Sequence, residues 1–352
     1  MRRVYLSLTV VALIVLTVAA IGCTTGGTNG SSGGNTRLNG AGATFIYPMM
    51  STWADEYRKA KGVEVNYQSI GSGGGIQQMT AKTVDFGCSD APMNDEQLAK
   101  CKANGAEAVH IPLAMGADVP AYTLKGVSET LTFTGPVLAD IYLGKIKKWN
   151  DPALTNLNPG VNLPNLDIVV VHRSEGSGTT YIFVDYLAKV SPEWKEKVGV
   201  AASVNWPCGV GQKGGEGVTG FVKKTEGAIG YIELTYALQN GVSYGSVKNK
   251  AGKTIKATME SITAAADNSL QTIPADLRYS ITDAPGDDSY PISGTTWAVI
   301  YSKLPADKGK DVVDFLRWVT HEGQEHTAAL HYARLPTSLI TRLEKKLDAV
   351  KY

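Results

Sequence analysis

The sequence contains almost no excess of charge of either sign. Its 34 lysine and arginine residues face 33 aspartate and glutamate residues, which leaves a formal net charge of +1 at pH 7 in 352 residues. Proteins that bind nucleic acid carry a basic footprint, and this balance indicates none. We therefore expect no nucleic-acid partner, and any bound anion must be held by a local site.

The sequence also lacks complete motifs for nucleotide binding, serine hydrolysis and zinc binding. Residues 71–76 lack the last glycine of G-x-G-x-x-G, and no G-x-x-x-x-G-K-[ST] occurs. Glu175 stands two residues before Ser177, where a nucleophile elbow needs glycine. His321 and His326 would point about 140° apart on a helix, too far apart to share a metal. We expect no enzyme activity, catalytic residue, cofactor or bound metal.

The first 36 residues differ from the rest of the chain. Arg2 and Arg3 precede an uncharged run at residues 4–20, and small residues then lead to Cys23. This pattern predicts a secretory signal peptide over residues 1–22. Residues 20–23 resemble a bacterial lipobox, whose cysteine is lipidated, and residues 24–36 are typical of a flexible tether. We expect an exported protein held at the membrane by a lipid on Cys23, with a permanent anchor or simple cleavage as the alternatives.

Three further cysteines follow the tether, at Cys88, Cys101 and Cys208. An exported protein meets conditions in which disulfides persist. Because three is an odd number, at most one internal pair can form, and Cys88 with Cys101 is the nearest pair in sequence. Buried free thiols are the alternative.

Beyond residue 36, short β-like runs alternate with segments of helical periodicity. Strands are predicted at residues 63–67, 84–87, 167–171, 227–232 and 297–301, and helices at residues 74–82, 179–190, 310–320 and 339–350. This alternation is the signature of an α/β fold with a helix-flanked sheet. A chain of this length suits two domains.

Three glycine clusters lie where a strand ends and a helix begins, at residues 40–44, 71–75 and 176–179. The N-terminus of a helix has unpaired backbone N–H groups and a partial positive charge, so it favours an oxyanion. Each cluster alone is also explained as a turn in which Ser or Thr caps its own helix. The clusters are candidates for an anion site.

Six segments carry a resemblance to a known family. They are residues 38–45, 66–75, 84–92, 140–149, 172–179 and 291–296. In order and spacing they are similar to the phosphate-binding proteins of bacterial ABC phosphate uptake systems, across nearly the whole chain after the tether.

The resemblance implies a two-lobed periplasmic-binding-protein fold with the ligand cleft between the lobes. Lobe one would comprise residues 37–122 and 290–352, and lobe two residues 123–289, so that two crossovers form the hinge. The implied partners are inorganic phosphate and the membrane permease and ATPase subunits of an ABC importer. The receptor itself would be a monomer.

The resemblance also implies the ligand residues, which are Thr44, Phe45, Ser72, Asp90, Arg173, Ser177, Gly178 and Thr179. Their chemistry suits phosphate, because neutral hydroxyl and backbone N–H donors surround one guanidinium whose planar fork matches a phosphate edge. Two of them have plainer interpretations. Arg173 would pair with Glu175 on the surface, and Asp90 would be an N-cap for a helix beginning near Asn94 or a turn residue before Pro92.

Two rival functions stay open from the sequence. A receptor for sulfate, molybdate or tungstate could share the fold, but these dianions have no proton to donate to Asp90. A secreted phosphatase would need a metal cluster or an activated nucleophile, and the sequence indicates neither. We expect phosphate binding without catalytic turnover.

Overall fold

A computed structural model describes residues 37–352 of the chain. The predicted signal peptide, the predicted lipidation site Cys23 and the predicted tether lie outside these residues. Within the described part, no helix is long and apolar enough to cross a membrane.

Twelve strands are present in the described residues, most of them short. They are β1 (Arg37–Gly42), β2 (Glu64–Ser69), β3 (Phe86–Ser89), β4 (Ala108–Tyr122), β5 (Thr132–Phe133), β6 (Val169–Arg173), β7 (Val210–Gln212), β8 (Ala228–Glu233), β9 (Ser243–Tyr244), β10 (Ser246–Lys248), β11 (Thr254–Ile255) and β12 (Ser293–Tyr301).

Twelve α-helices alternate with the strands of residues 37–352. They are α1 (Tyr47–Lys61), α2 (Ser72–Thr80), α3 (Asp95–Ala103), α4 (Gly135–Tyr142), α5 (Pro152–Thr155), α6 (Gly178–Val190), α7 (Pro192–Lys197), α8 (Gly214–Lys224), α9 (Leu234–Asn240), α10 (Met259–Asp267), α11 (Gly309–Thr320) and α12 (Thr337–Asp348). Short 3₁₀ turns cover Leu270–Thr272, Glu322–His326 and Ala328–Leu330.

The strands form a nine-stranded mixed sheet and a small three-stranded one. The large sheet has the order β2-β1-β3-β12-β4-β8-β6-β7, with β9 also paired to β4, and the small sheet has the order β11-β10-β5. Strands β1, β2 and β3 are parallel to one another, as are β6, β7 and β8. The carboxyl ends of these two parallel groups carry the loops that form the candidate site.

Strand β4 joins the two groups. Its first part, through Ala117, pairs with β12, and its last part, from Asp118 to Tyr122, pairs with β8. One strand therefore runs through both parts of the large sheet.

The core consists of apolar side chains on both sides of the large sheet. All nine residues of β12 are buried, so buried and exposed positions do not alternate along this strand. Among the largest fully buried side chains are Trp53, Trp149 and Trp194. Burying a large apolar side chain stabilises a fold by about 1.5–3 kcal/mol, and such contacts fix the strands that position the site.

The predicted α/β class is confirmed, and the predicted strands and helices are present with bounds that differ by a few residues. Several elements were not predicted, among them helix α1, helix α8 and strand β4. The three described cysteines, Cys88, Cys101 and Cys208, are free thiols, so the disulfide between Cys88 and Cys101 does not form and the alternative of free thiols holds.

Candidate anion-binding site

Asp90 directly follows β3 and is buried, with 1% of its surface exposed. Its Oδ1 accepts a hydrogen bond from the hydroxyl of Thr296 (2.5 Å), and its Oδ2 accepts one from Ser72 (3.4 Å). Asn94 is the N-cap of α3, where it forms a capping box with Gln97. The interpretation of Asp90 as a helix cap is therefore wrong.

Ser72 is the first residue of α2 and connects distant parts of the chain. Gly71 precedes it with a φ of 87°, a conformation that glycine adopts without strain. The hydroxyl oxygen of Ser72 accepts hydrogen bonds from the backbone N–H groups of Asp90 (3.2 Å) and Gly178 (3.0 Å). Ser72 thus joins the end of β3 to the start of α6.

Arg173 is the last residue of β6, and only 1% of its side chain is exposed. Its Nε donates to Oε1 of Glu175 (2.8 Å), its Nη2 donates to the same oxygen, and its Nη1 donates to the hydroxyl of Thr179 (3.2 Å). The ion pair with Glu175 exists, but the guanidinium is buried. The interpretation of Arg173 as a surface residue is therefore wrong.

The start of α6 supplies donors beside Arg173. Ser177 caps the helix, because its Oγ accepts from the backbone N–H of Thr180 (3.2 Å). Gly178 and Thr179 occupy the first turn, where a backbone N–H has no acceptor within the helix. The partial positive charge of the helix N-terminus adds to that of the guanidinium.

Thr44 and Phe45 lie between β1 and α1 and are held by residues from far along the chain. The hydroxyl of Thr44 accepts from the backbone N–H of Gly215 at the start of α8 (3.1 Å), and its carbonyl accepts from the hydroxyl of Tyr236 (2.8 Å). The hydroxyl of Tyr332 donates to the carbonyl of Phe45 (2.5 Å).

The structure brings these predicted residues into one buried region. Direct hydrogen bonds join Ser72 to Asp90 and Gly178, and Arg173 to Thr179. The loop at Thr44 reaches the same region through α8, since Gly214 donates to Glu175 (3.1 Å) and the next residue, Gly215, donates to Thr44. The arrangement can hold a small oxyanion between a guanidinium, hydroxyl groups and a helix N-terminus.

Comparison with known proteins assigns the family. A family model described as a PBP superfamily domain matches residues 27–321. Phosphate-binding protein PstS of Xylella fastidiosa (strain Temecula1) is 46% identical over 310 residues, which cover 88% of this chain and 84% of that protein. PstS of Pasteurella multocida is 44% identical over 309 residues, covering 87% and 88%. The chain belongs to the PstS family.

Solved structures similar to this PstS-family chain share its fold. A periplasmic phosphate-binding protein, PfluDING, bound with phosphate has a TM-score of 0.72 at 19% identity, over 88% of this chain and 93% of that one. An ABC-type phosphate transport receptor from Vibrio cholerae has a TM-score of 0.53 at 17% identity, over 85% and 100%. The predicted two-lobed periplasmic-binding-protein fold is confirmed.

Burial controls the charge of the carboxyl group in this PstS-family site. Desolvation raises the pKa of Asp90 to about 7, although the hydrogen bonds from Thr296 and Ser72 and the charge of Arg173 favour the ionised form. Near neutral pH the Asp90 carboxyl group therefore gains or loses a proton readily, which suits a group that shares a proton with an oxyanion.

Thr296 was not predicted as a site residue. Strand β12 is antiparallel to β3 and pairs Trp297 with Ser89, so the preceding Thr296 lies beside Asp90. The register of β12 against β4 shifts between Thr296 and Trp297, and such irregularities redirect side chains. The segment at 291–296 was noted in the sequence only for its resemblance, and its pairing with β3 is a long-range contact that local patterns do not contain.

The N-terminus of α8 was also missed. Its residues Gly214 and Gly215 donate to Glu175 and Thr44, and Glu216 accepts from the hydroxyl of Tyr236 (2.9 Å). The glycines at 214–215 stand at a strand-to-helix junction between β7 and α8, like the three clusters that were noticed. This strand-to-helix junction is the sequence feature that could have predicted the contribution of α8.

Proposed function

We propose that this chain is the receptor of an ABC phosphate importer and binds one inorganic phosphate at the buried site described above. Its ligand residues are Thr44, Phe45, Ser72, Asp90, Arg173, Ser177, Gly178 and Thr179. The PstS relatives support phosphate as the ligand. The observation that carries the proposal is Asp90, a buried carboxyl group set among hydrogen-bond donors.

The positive and partially positive groups of the site can balance the negative charge of the ligand. Arg173 supplies a desolvated guanidinium, and the first turn of α6 supplies the backbone N–H of Thr179. Hydrogen bonds between ionised partners in a dry site are stronger than neutral ones. The ligand is therefore held by charge and geometry together, without a mobile counterion.

Asp90 gives the site its selectivity among oxyanions. Phosphate near neutral pH is a mixture of monoanion and dianion with a second pKa of about 6 to 7, so each form keeps at least one O–H group. This proton is shared with the Asp90 carboxyl group. Sulfate, molybdate and tungstate dianions bring no proton, so their oxygens would face the lone pairs of Asp90 in a site that excludes water.

Binding proceeds without catalytic turnover. The PstS relatives are named as binding proteins. Within residues 37–352, no three His, Cys, Asp or Glu side chains are grouped to hold a metal ion, so the phosphatase alternative gains no support from the described side chains.

Calorimetry of the purified, ligand-stripped protein tests the proposal. Phosphate should bind tightly, while sulfate and molybdate should bind far more weakly. Tight binding of sulfate or molybdate without binding of phosphate would overturn it.

We assign residues 37–122 and 290–352 to lobe one and residues 123–289 to lobe two. The passage of β4 from its partner β12 to its partner β8 supports one crossover of the hinge in this strand, within a few residues of the assigned boundary at residue 122. The second crossover lies before β12. Phosphate is delivered when the monomeric receptor docks on the permease and its lobes separate.

Export and a lipid on Cys23 would keep this receptor on the outer face of the membrane, next to the permease. The signal-like run, the near-lipobox and the tether in the sequence support this arrangement. We expect Cys23→Ala to move the protein out of the membrane fraction and to remove the lipid mass from the intact protein. If wild type and variant fractionate alike and neither carries the mass of an acyl group, the proposed lipid anchor is wrong.

A further inference from the structure

Two buried carboxyl groups lie opposite each other where β4 pairs with β8. The sheet register pairs Asp118 with Glu233, and directly opposed residues of antiparallel strands have Cβ atoms about 5 Å apart on the same face. Asp118 is 0% exposed and Glu233 is 1% exposed. The ligand residues assigned above include neither of them.

The oxygens of this pair are largely without partners. Within residues 37–352, neither Oδ1 nor Oδ2 of Asp118 accepts a hydrogen bond, and neither does Oε1 of Glu233. The other oxygen of Glu233 accepts from the backbone N–H of Thr235 (2.9 Å). Buried polar atoms are nearly always paired, and an ionised carboxylate can only accept. Protonation removes the charge of such a carboxyl group and gives it an O–H donor, so the unpartnered oxygens indicate that these two groups hold protons.

The surroundings of the pair favour those protons. The titratable and charged groups that face it are Asp90 after β3, Arg173 of β6, Tyr142 of α4, Tyr231 of β8, Tyr236 of α9, Tyr290 before β12 and Tyr332. The cation among them, Arg173, already pairs with Glu175. Desolvation raises the pKa of Glu233 to about 8, and desolvation together with the neighbouring carboxyl groups raises the pKa of Asp118 well above its usual range.

The pair is connected to the candidate ligand site. The hydroxyl of Tyr332 donates to the carbonyl of Phe45 (2.5 Å) and its oxygen lies 3.3 Å from Oε2 of Glu233, so one hydroxyl touches both the pair and a predicted ligand residue. Asp90 and Arg173 are also neighbours of Asp118. Any negative charge on the pair therefore acts on the region that receives phosphate.

We propose that Asp118 and Glu233 are a proton-binding pair behind the ligand site, and that the receptor takes up protons from solvent when it closes on phosphate. The proposal rests on the phosphate site proposed above. Because the predicted ligand residues are buried, phosphate enters only when the lobes separate, and closure then removes water from the carboxyl groups while an anion arrives beside them. Both changes disfavour ionised Asp118 and Glu233, so protons bind as phosphate binds.

Calorimetry at pH 8.5 in two buffers of different ionisation enthalpy measures the protons taken up per phosphate. Free phosphate is mainly the dianion at this pH, so its contribution is shared by all variants. Wild type should take up more protons than Asp118→Asn or Glu233→Gln, while the exposed control Asp307→Asn should match wild type. Phosphate affinity should also fall as pH rises, by about tenfold per pH unit for each proton taken up on binding. The fall should be less steep in a variant that takes up fewer protons.

The possible outcomes distinguish failure of the proton-binding pair from failure of the proposed phosphate site. If wild type does not bind phosphate, the proposed function fails. If Asp118→Asn and Glu233→Gln bind phosphate with the proton uptake of wild type, the proton-binding pair is wrong. If both variants lose phosphate binding, infrared difference spectra of Asp90→Asn at saturating phosphate decide: phosphate at pH 8.5 should increase the absorbance of protonated carboxyl groups, and no increase would overturn the proposal.

Discussion

At Asp90, burial opposes every polar contact that the carboxyl group makes. Donors from Thr296 and Ser72 and the charge of Arg173 stabilise the ionised form, yet desolvation still raises the pKa to about 7. The carboxyl group and a bound phosphate can therefore share one proton, whichever of the two carries it before binding. A ligand that brings no proton meets an ionised carboxylate above this pH.

We predict that Asp90→Asn lowers the ratio of phosphate affinity to sulfate affinity. The asparagine keeps the shape, removes the charge and supplies an N–H donor that sulfate can use. In wild type above pH 7, sulfate must either face the ionised carboxylate or bind together with a proton on Asp90, and the cost of that proton rises by about tenfold in affinity per pH unit. Isothermal titration of both proteins with both anions measures the ratio, and an unchanged ratio would show that selectivity resides elsewhere.

The same experiment has a pH arm. Protonated Asp90 can donate to sulfate, so sulfate should bind wild type better as pH falls through about 7. Asp90→Asn has no proton to gain at this position, and its sulfate affinity should depend less on pH. Equal pH dependence in the two proteins would assign the effect to other groups.

We predict that Arg173→Ala weakens phosphate binding by about 2–5 kcal/mol, the range for removing one partner of a desolvated charge pair. Arg173→Lys should restore only part of the loss, because an ammonium cannot form two parallel bonds. Arg58→Ala is the matched control, since Arg58 forms an exposed pair with Asp55 and such pairs contribute little. A dissociation constant in Arg173→Ala equal to that of wild type would place Arg173 outside the site.

At the scale of elements, the start of α2 and the loop before α6 are in direct backbone contact. The N–H of Gly73 donates to the carbonyl of Gly176 (2.9 Å), and a Cβ added at Gly178 would lie 2.5 Å from the Cβ and the backbone N of Asp90. A side chain at this position cannot be accommodated without moving backbone. Glycine is therefore required here by close approach.

We predict that Gly178→Ala holds the start of α6 away from Asp90 and weakens phosphate binding. Overpacking typically costs about 1–3 kcal/mol, which is about 5- to 150-fold in the dissociation constant. Gly220→Ala in α8 is the control, because an added Cβ there meets nothing within 4 Å, and it should bind phosphate like wild type. Calorimetry on the two variants compares them, and equal affinity would show that the contact is not needed for binding.

The sequence predicts the elements with strong local signals and misses those whose signals are weak or mixed. Residues 179–190 have helical periodicity, and α6 lies there. Strand β4 is buried along most of its length and contains Pro112 and Pro120, so it shows neither alternation nor the composition of a central strand. Helix α1 did carry a signal, since Met49, Trp53 and Tyr57 recur at helical spacing on its buried face.

The site shows the same division. Residues next to glycine clusters, such as Ser72 and Gly178, were predicted because each cluster is a local feature and the family resemblance fixed its role. Thr296 and Tyr332 reach the site through β12 and the C-terminal segment, and their contacts depend on how distant strands pair. Local sequence patterns do not indicate which distant strands pair. The family resemblance, rather than periodicity, made most of the predicted site accessible.

At the scale of the whole molecule, burial of the proposed ligand residues would make binding and conformational change one process. Asp90, Ser177 and Thr179 are each at most 3% exposed, so a ligand cannot reach them while the lobes are in contact. Strand β4 runs through both parts of the large sheet, so the lobes stay connected when they separate. Entry of phosphate therefore requires the lobes to separate.

We predict that phosphate makes the molecule more compact and more stable together. A ligand that binds only the folded protein stabilises it by about 2.7 kcal/mol at a concentration about 100 times the dissociation constant, so the melting temperature should rise with the logarithm of phosphate concentration. Small-angle X-ray scattering should show a smaller radius of gyration over the same concentration range. At pH 8.5, where Asp90 is mainly ionised, sulfate should change both quantities far less than phosphate does, and Gly178→Ala should show a reduced compaction because its lobes cannot meet. A radius of gyration that stays constant while the melting temperature rises would mean that phosphate enters without closure of the lobes, and the buried arrangement of Ser72, Asp90 and Gly178 would then not be the binding state.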